Sequence, residues 1–309
     1  MSRAYRPADF EAFLRKHSAT SPSPRSEHSD RFPMDWGSRG SSPAERPDRE
    51  SSVHHRDNSD RFRSGYRHRD REYSLRESEV QALIEIGKFR VVPTEDLSWI
   101  AYRADRSRME NDLQNLRRQG LLEQRSIEGH DGRSKNVLAL TREAHKLLTR
   151  QNWIPGGQAI YHGFVKPKEV RHDADLYGLY HQVAEEIEQS GGKVRRVILD
   201  YELKRELYKK LSQIDPNKDP AYERIRIANE CDLHVVNDKI PIPDLRIEYE
   251  DECRNVERLD LEIATRDYRP QGLAEKAKAG FHLFAHQQDR PKLRRVLDAH
   301  KITAEIFAL

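Results

Sequence analysis

The segment IPIPDLRIEYEDECRNVERLDLEIATRD, residues 240–267, sets carboxylates into what reads as two strands joined by a polar turn. Asp244 follows Pro243 at the mouth of the first strand, and Asp260 and Glu262 interrupt the apolar run Leu259, Leu261, Ile263 of the second. An acid at one strand's start and another within its neighbour can meet at one point on a sheet. Hard cations such as Mg²⁺ or Mn²⁺ take a few carboxylate oxygens plus waters, and the pair Asp244–Glu262 offers that. Asp260 shares a face with Glu262 and is a candidate further ligand. The alternative is an exposed sheet face on which these acids pair with Arg246, Arg258 or Arg266.

Residues 171–309 must position these acids. Leu176, Leu179, Tyr180, Val183 and Ile187 predict an amphipathic helix with Asp173 as its N-cap, closed by Gly191-Gly192. VRRVILD reads as a strand, followed by polar helices near 201–212 and 219–231, then the two acid-bearing strands. A helix at 270–286, another at 291–300 and a last strand in ITAEIFAL complete an α/β domain: an α-β-β-β-α-β skeleton with a helical insertion. On the helix following the acids the apolar face is Leu273, Ala277, Gly280 and Phe284. Lys276 lies about 60° from its centre and can reach back to the sheet; Lys278, at about 140°, faces solvent.

Residues 75–152 change the pattern. Val80, Leu83, Ile84 and Gly87 predict a first helix; Thr94 caps a second that buries Leu97, Ile100 and Ala101. A third opens with a capping box of Ser107 and Glu110, buries Met109, Leu113 and Leu116, and stops at Gly120. LLEQRSI and NVLALT flank a glycine-containing tip as a hairpin, and Thr141 caps a final helix. Helix, helix, helix, hairpin, helix is the order of a winged helix-turn-helix. With its apolar stripe inward, the third helix presents Ser107, Asn111, Gln114 and Arg118, with Arg103, Arg106 and Arg108 around its start. Such side chains bond base edges and phosphates, which predicts double-stranded DNA as a partner, with Arg133 and Lys135 of the hairpin on flanking phosphates.

Residues 1–74 hold one Leu, one Val and no Ile, too little apolar surface to offset chain entropy, and are expected to be disordered. Phe10, Phe13 and Leu14 could form a short helical motif for a protein partner. Residues 153–170, with Pro155, Gly156, Gly157 and Pro167, read as a linker. The net charge of +3 is spread along the chain, so nucleic-acid contact must come from local patches. Two cysteines are too few for a disulfide framework or zinc cluster, no apolar run is long enough to span a membrane, and the start lacks a signal-peptide core. The expectation is a cytoplasmic protein; the oligomeric state stays open, a homodimer included. No phosphate loop, GxSxG, HExxH or CxxC occurs.

Residues 76–150 resemble the winged-helix families of bacterial regulators, through DLQNLRRQGLL and VLALTREAHKLL. Residues 171–309 resemble the PD-(D/E)xK nuclease superfamily: Pro243-Asp244 matches its PD, and Glu262-Ile263-Ala264 stands where its (D/E)xK belongs. That resemblance implies Asp244 and Glu262 on a Mg²⁺ or Mn²⁺ ion and Glu186 as a ligand from the early helix. It also implies a lysine recruited from the following helix, Lys276, because Ala264 occupies the motif position. The winged helix ahead of such a domain, with the phrases IPDLRIEYEDE, LDLEIATRDYRP and EKAKAGF, resembles the replication-relaxation proteins of bacterial plasmids and conjugative elements. Membership would imply a DNA-binding protein acting in replication, mobilisation or their transcriptional control. Its second domain would be a degenerate nuclease or, alternatively, a Mg²⁺-dependent endonuclease.

Overall fold

The computed structural model describes residues 62–68, 70–129 and 132–309, so the expected motif at Phe10, Phe13 and Leu14 lies outside the described residues. The chain is mixed α/β. Strands β1 (Ser64–His68) and β2 (Arg71–Leu75) pair antiparallel with Tyr66 opposite Tyr73. This corrects the disorder expected up to residue 74. REYSL alternates, and Tyr73 and Leu75 are buried while Glu72 and Ser74 are exposed. The composition of the preceding residues masked that short period-two signal. Arg63 locks the hairpin down by donating to both oxygens of buried Glu79, at 3.1 and 3.0 Å.

Glu79 lies on α1 (Glu77–Gly87), which ends at a glycine for steric reasons: a Cβ on Gly87 would sit 2.7 Å from Ile160 and 2.8 Å from Leu140. After β3 (Val92–Pro93) comes α2 (Thr94–Ile100), then α3 (Arg106–Arg118). Two expected caps are corrected. Pro93, paired with Val137, is the N-cap of α2, which puts Thr94 inside the helix with a buried hydroxyl that finds no partner. At α3 the Asp105 carboxylate takes the Arg108 N–H at 3.0 Å, so Ser107 and Glu110 are already helical and exposed. Met109, Leu113 and Leu116 are buried as expected, and Gly120 follows with φ +70°. β4 (Leu122–Glu128) and β5 (Ser134–Leu140) pair as the expected hairpin, with β3 on the other edge of β5. Thr141 caps α4 (Arg142–Gln151) by accepting from the Ala144 N–H at 3.2 Å.

The segment expected as a linker is strapped down on both sides. Its Tyr161 and Gly163 N–H groups donate to Gly87 and Leu140, both at 2.7 Å, and Gln158 pairs through its amide with the backbone of Val197. It also ends early, because α5 (Pro167–Gln189) opens with a proline at its first turn. Asp173 is therefore mid-helix rather than an N-cap. The apolar stripe of α5 is buried as expected, and Phe89 from the first half sits edge-on to Tyr177 at 5.0 Å, so one core spans both halves.

Beyond α5 run β6 (Lys193–Leu199), α6 (Asp200–Leu211), α7 (Pro220–Glu230), β7 (Leu245–Glu250), β8 (Val256–Ile263), α8 (Pro270–Lys278), β9 (His282–Ala285), α9 (Arg290–Ala299) and β10 (Ile306–Ala308). They form one sheet in the order β10-β9-β8-β7-β6, antiparallel from β6 to β8 and parallel from β8 to β10. The helix expected over 270–286 is corrected: it stops at Lys278, Gly280 turns with φ +86°, and Phe284 belongs to β9. A short apolar run fits either period, and its position beside β8 decides the outcome.

Candidate active site

The register of β7 on β8 sets Leu245 opposite Leu261, which carries Asp244 opposite Glu262. The ladder runs one residue past β7, since the Asp244 N–H donates to the Leu261 carbonyl at 3.1 Å. Alternation sends Leu259, Leu261 and Ile263 into the core toward α5 and turns Asp260 and Glu262 to the other face. The two acids are bound from many sides. Asp244 Oδ2 accepts the Ile263 N–H at 2.8 Å, and His172 Nε2 of α5 lies 3.3 Å from Oδ1. Glu262 is fully buried; its Oε2 accepts the Asp244 N–H at 3.1 Å and Lys276 Nζ at 2.8 Å, and its Oε1 accepts the Tyr268 hydroxyl. Lys276, from α8, also donates to the Ile242 carbonyl at 2.5 Å. The structure thus brings Asp244, Glu262 and Lys276 together.

Ala264 is buried in an apolar cluster with Leu273, Leu283 and Leu293, where an ammonium would be stranded. A cation for this site has to come from another element, and α8 supplies it.

Two carboxylates stand against one ammonium here. Burial pushes Asp244 up to about 6, with the Lys276 charge and the Ile263 N–H pulling back. Burial, then the Asp244 charge, pushes Glu262 up to about 7 against Lys276 and the Tyr268 hydroxyl. Burial and the Glu262 charge raise Tyr268 far above the usual phenol range, so it stays a donor. A second charge chain abuts the pair. The Asp200 N–H donates to the Asp244 carbonyl at 3.0 Å, the Asp200 carboxylate takes Lys204 at 2.6 Å, and Arg90 bridges Asp200 to Asp173.

Two expected ligands are not brought to the pair. Asp260 receives Arg246 Nε at 2.6 Å and Nη2 at 2.8 Å, a two-pronged clamp whose other bonds go to the Cys231 and Asp232 carbonyls. This is the pairing with arginine that the sequence left open. Glu186 lies fourteen residues along α5 from His172, about 21 Å down the helix axis. It is hydrogen-bonded to Gln182, and burial pushes its carboxyl up to about 7. His172 is a site neighbour that an N-cap at Asp173 would set aside at the helix start; the helix starts at Pro167 instead, which brings His172 within 3.3 Å of Asp244.

Among the described residues no group of three or more His, Cys, Asp and Glu side chains is placed to hold a metal ion. Zinc or calcium would want more protein ligands than this pair gives. Mg²⁺ is commonly held by one or two carboxylates with waters, and the surplus negative charge of buried Glu262 and half-buried Asp244 over one lysine fits such an ion.

The residues expected to touch DNA are all on the surface. Arg103, Arg106, Ser107, Arg108, Asn111, Gln114, Arg118 and Arg133 are all exposed. Arg103 and Ala104, with φ of 49° and 65°, form the turn that leads into α3. Lys135 is exposed on the expected hairpin as well, but it also turns toward α5. It shares the face of β5 that carries Val137, packed on Val170 and Ala174 of α5, and lines a cavity with Asp96 and Asp175. No family model, curated protein or solved structure matches this chain.

Proposed function

We propose that this chain binds double-stranded DNA through α3 and hydrolyses a phosphodiester at Asp244, Glu262 and Lys276. The first half is read as a winged helix-turn-helix, the second as a PD-(D/E)xK-like domain. One observation carries the hydrolytic reading: Lys276 Nζ stands 2.8 Å from Glu262, which is the cross-strand neighbour of Asp244. An ammonium beside paired acids is what a phosphate oxygen gaining charge requires. Asp244 and Glu262 would hold Mg²⁺ or Mn²⁺. Such an ion, once bound, neutralises phosphate charge and makes hydroxide available at neutral pH. Tyr268 would orient the Glu262 carboxylate, His172 borders Asp244 Oδ1, and Lys276 would give its remaining proton to a non-bridging oxygen. The sequence resemblance to replication-relaxation proteins supports a role in replication or mobilisation of a plasmid or conjugative element.

A second reading has its own observation: every oxygen of Glu262 already has a donor and none is exposed. On that reading the domain is a degenerate nuclease that binds or positions DNA without cutting it. Incubating the full chain with supercoiled plasmid plus Mg²⁺ or Mn²⁺, beside a gel shift on the same DNA, separates the two. Nicking by wild type that falls at least about a hundredfold in Lys276→Ala, the loss of one transition-state donor, with the gel shift unchanged, supports hydrolysis. A gel shift without nicking supports the second reading.

A further inference from the structure

Among the described residues, α6 and α7 carry four of the seven exposed large hydrophobic side chains: Tyr201, Tyr208, Tyr222 and Ile225. Tyr201 and Tyr208 are 55% and 57% exposed, and they stand two turns apart on one face of α6, about 10.5 Å along its axis. Leu203 and Leu207 face inward onto Ile227 and Ala228 of α7. Projected at about 100° per residue, the arc of α6 opposite Leu203 and Leu207 holds Tyr208, Tyr201, Arg205, Lys209 and Glu202, with Lys204 toward its edge. Glu202 is half-buried 3.7 Å from Arg196 and Lys204 is paired with Asp200, so Arg205 and Lys209 carry the outward charge of this face beside the two rings. The arc begins at the carboxylate pair, because β6 ends at Leu199 opposite Leu245 and Asp200 bonds the Asp244 carbonyl. Tyr201 and Arg205 also wall a cavity of about 390 Å³ together with Arg90, His162, Phe164 and Glu202. That volume is in the range of small-molecule sites.

We propose that this face of α6 is a track for single-stranded DNA, with unpaired bases stacked on Tyr201 and Tyr208 and the backbone along Arg205 and Lys209, leading to Asp244 and Glu262. The proposal rests on the reading that the carboxylate site acts on DNA, and it deepens that reading: the strand delivered there is unpaired. Exposed rings offer stacking only to bases whose faces are free, which a duplex does not present. Protein interfaces deplete lysine at their centres, whereas this face alternates rings with cations. The cavity beside Tyr201 adds room, between an aromatic ring and two guanidinium groups, for one base or phosphate turned out of the strand.

The test is fluorescence anisotropy of the full chain with labelled oligothymidylate of about 16 nucleotides, the upper site size of such platforms, and with a duplex of equal length. Expected is at least about thirtyfold weaker oligothymidylate binding by Tyr201→Ala/Tyr208→Ala, the loss of two stacking platforms, with duplex affinity and Tm unchanged. Tyr201→Phe/Tyr208→Phe keeps the rings and should bind as wild type. Arg205→Gln/Lys209→Gln should flatten the salt dependence of the same binding. The proposal is overturned if wild type does not bind oligothymidylate, or if the alanine variant binds it unchanged. It is equally overturned if that variant loses self-association in sedimentation, which would make the face a contact between copies. Plasmid nicking that survives either failure leaves the carboxylate site standing and removes only the track. Conversely, Lys276→Ala should lose nicking and keep oligothymidylate binding.

Discussion

Asp260 and Glu262 stand two residues apart on one face of β8, and their surroundings differ in how each negative charge is met. Asp260 faces a buried guanidinium with two matched bonds, one positive charge to one negative, and Arg246 spends its other donors on two backbone carbonyls. Glu262 faces a lysine, a phenol and a backbone amide, while Asp244 places a second carboxylate directly across the ladder. The first arrangement is closed and fits a structural clamp. The second leaves one negative charge over, which fits a group that holds a cation or acts on one. Proximity in sequence and a shared face do not make two acids equivalent; the partner across the ladder does.

The largest expected effect breaks the clamp. Arg246→Ala removes the guanidinium and strands Asp260 together with the Cys231 and Asp232 carbonyls, so unfolding free energy in urea should fall by about 3–5 kcal/mol. A loss under about 1 kcal/mol would show that Asp260 is hydrated and the clamp is weak. The opposite sign is expected at the pair. Asp244→Asn removes the surplus charge yet can still accept the Ile263 N–H, and without metal at pH 8 it should gain about 1–3 kcal/mol. Adding Mg²⁺ should raise the Tm of wild type and not of this variant, a stabilisation of about 2.7 kcal/mol when the ion stands at a hundred times its Kd. If Mg²⁺ shifts neither protein, Asp244 and Glu262 hold no metal and the endonuclease reading fails.

Much of this was legible in the sequence where periodicity carried the information. The stripes of α1, α3 and α5, the β4–β5 hairpin and the stop at Gly120 follow from spacing alone. Lys276 turns back to the sheet as its helical angle predicts, because that angle depends on nearby positions of the helix, although α8 is eight residues shorter than its apolar run suggests. What failed needed long-range geometry. The angle of Glu186 on α5 is right, buried while Glu185 is exposed, but a wheel says nothing of distance along the axis, and about 21 Å separates it from the pair. Asp260 was assigned to metal because its face is fixed by alternation, whereas its partner is fixed by the β7–β8 register, which pairs it with Arg246. The hairpin before α1 was lost because five residues of alternation are a weak signal beside a long polar stretch.

Glu186 supplies the third member of the comparison, with an effect confined to high pH. It is a buried acid without the arginine clamp of Asp260 or the lysine of Glu262, and burial, with a minor contribution from the Glu185 charge, pushes its carboxyl from 4.5 up to about 7. The folded state therefore holds the Glu186 proton more tightly than the unfolded chain does. Its contribution to stability is fully present below about 4.5 and is lost as pH rises through about 7. Glu186→Gln keeps the shape and the hydrogen bond to Gln182 while removing the charge. It should match wild type near pH 4.5 and exceed it by about 1–3 kcal/mol at pH 8, taking about 1.4 kcal/mol for each tenfold change in proton affinity and reducing it for partial hydration. Thermal unfolding of the two proteins across that range measures the difference directly. Mg²⁺ should leave the Glu186→Gln difference unchanged at every pH, because the ion's expected seat is at the other end of α5. A difference that vanished on adding Mg²⁺ would return Glu186 to the metal site and overturn the distinction among the three acids.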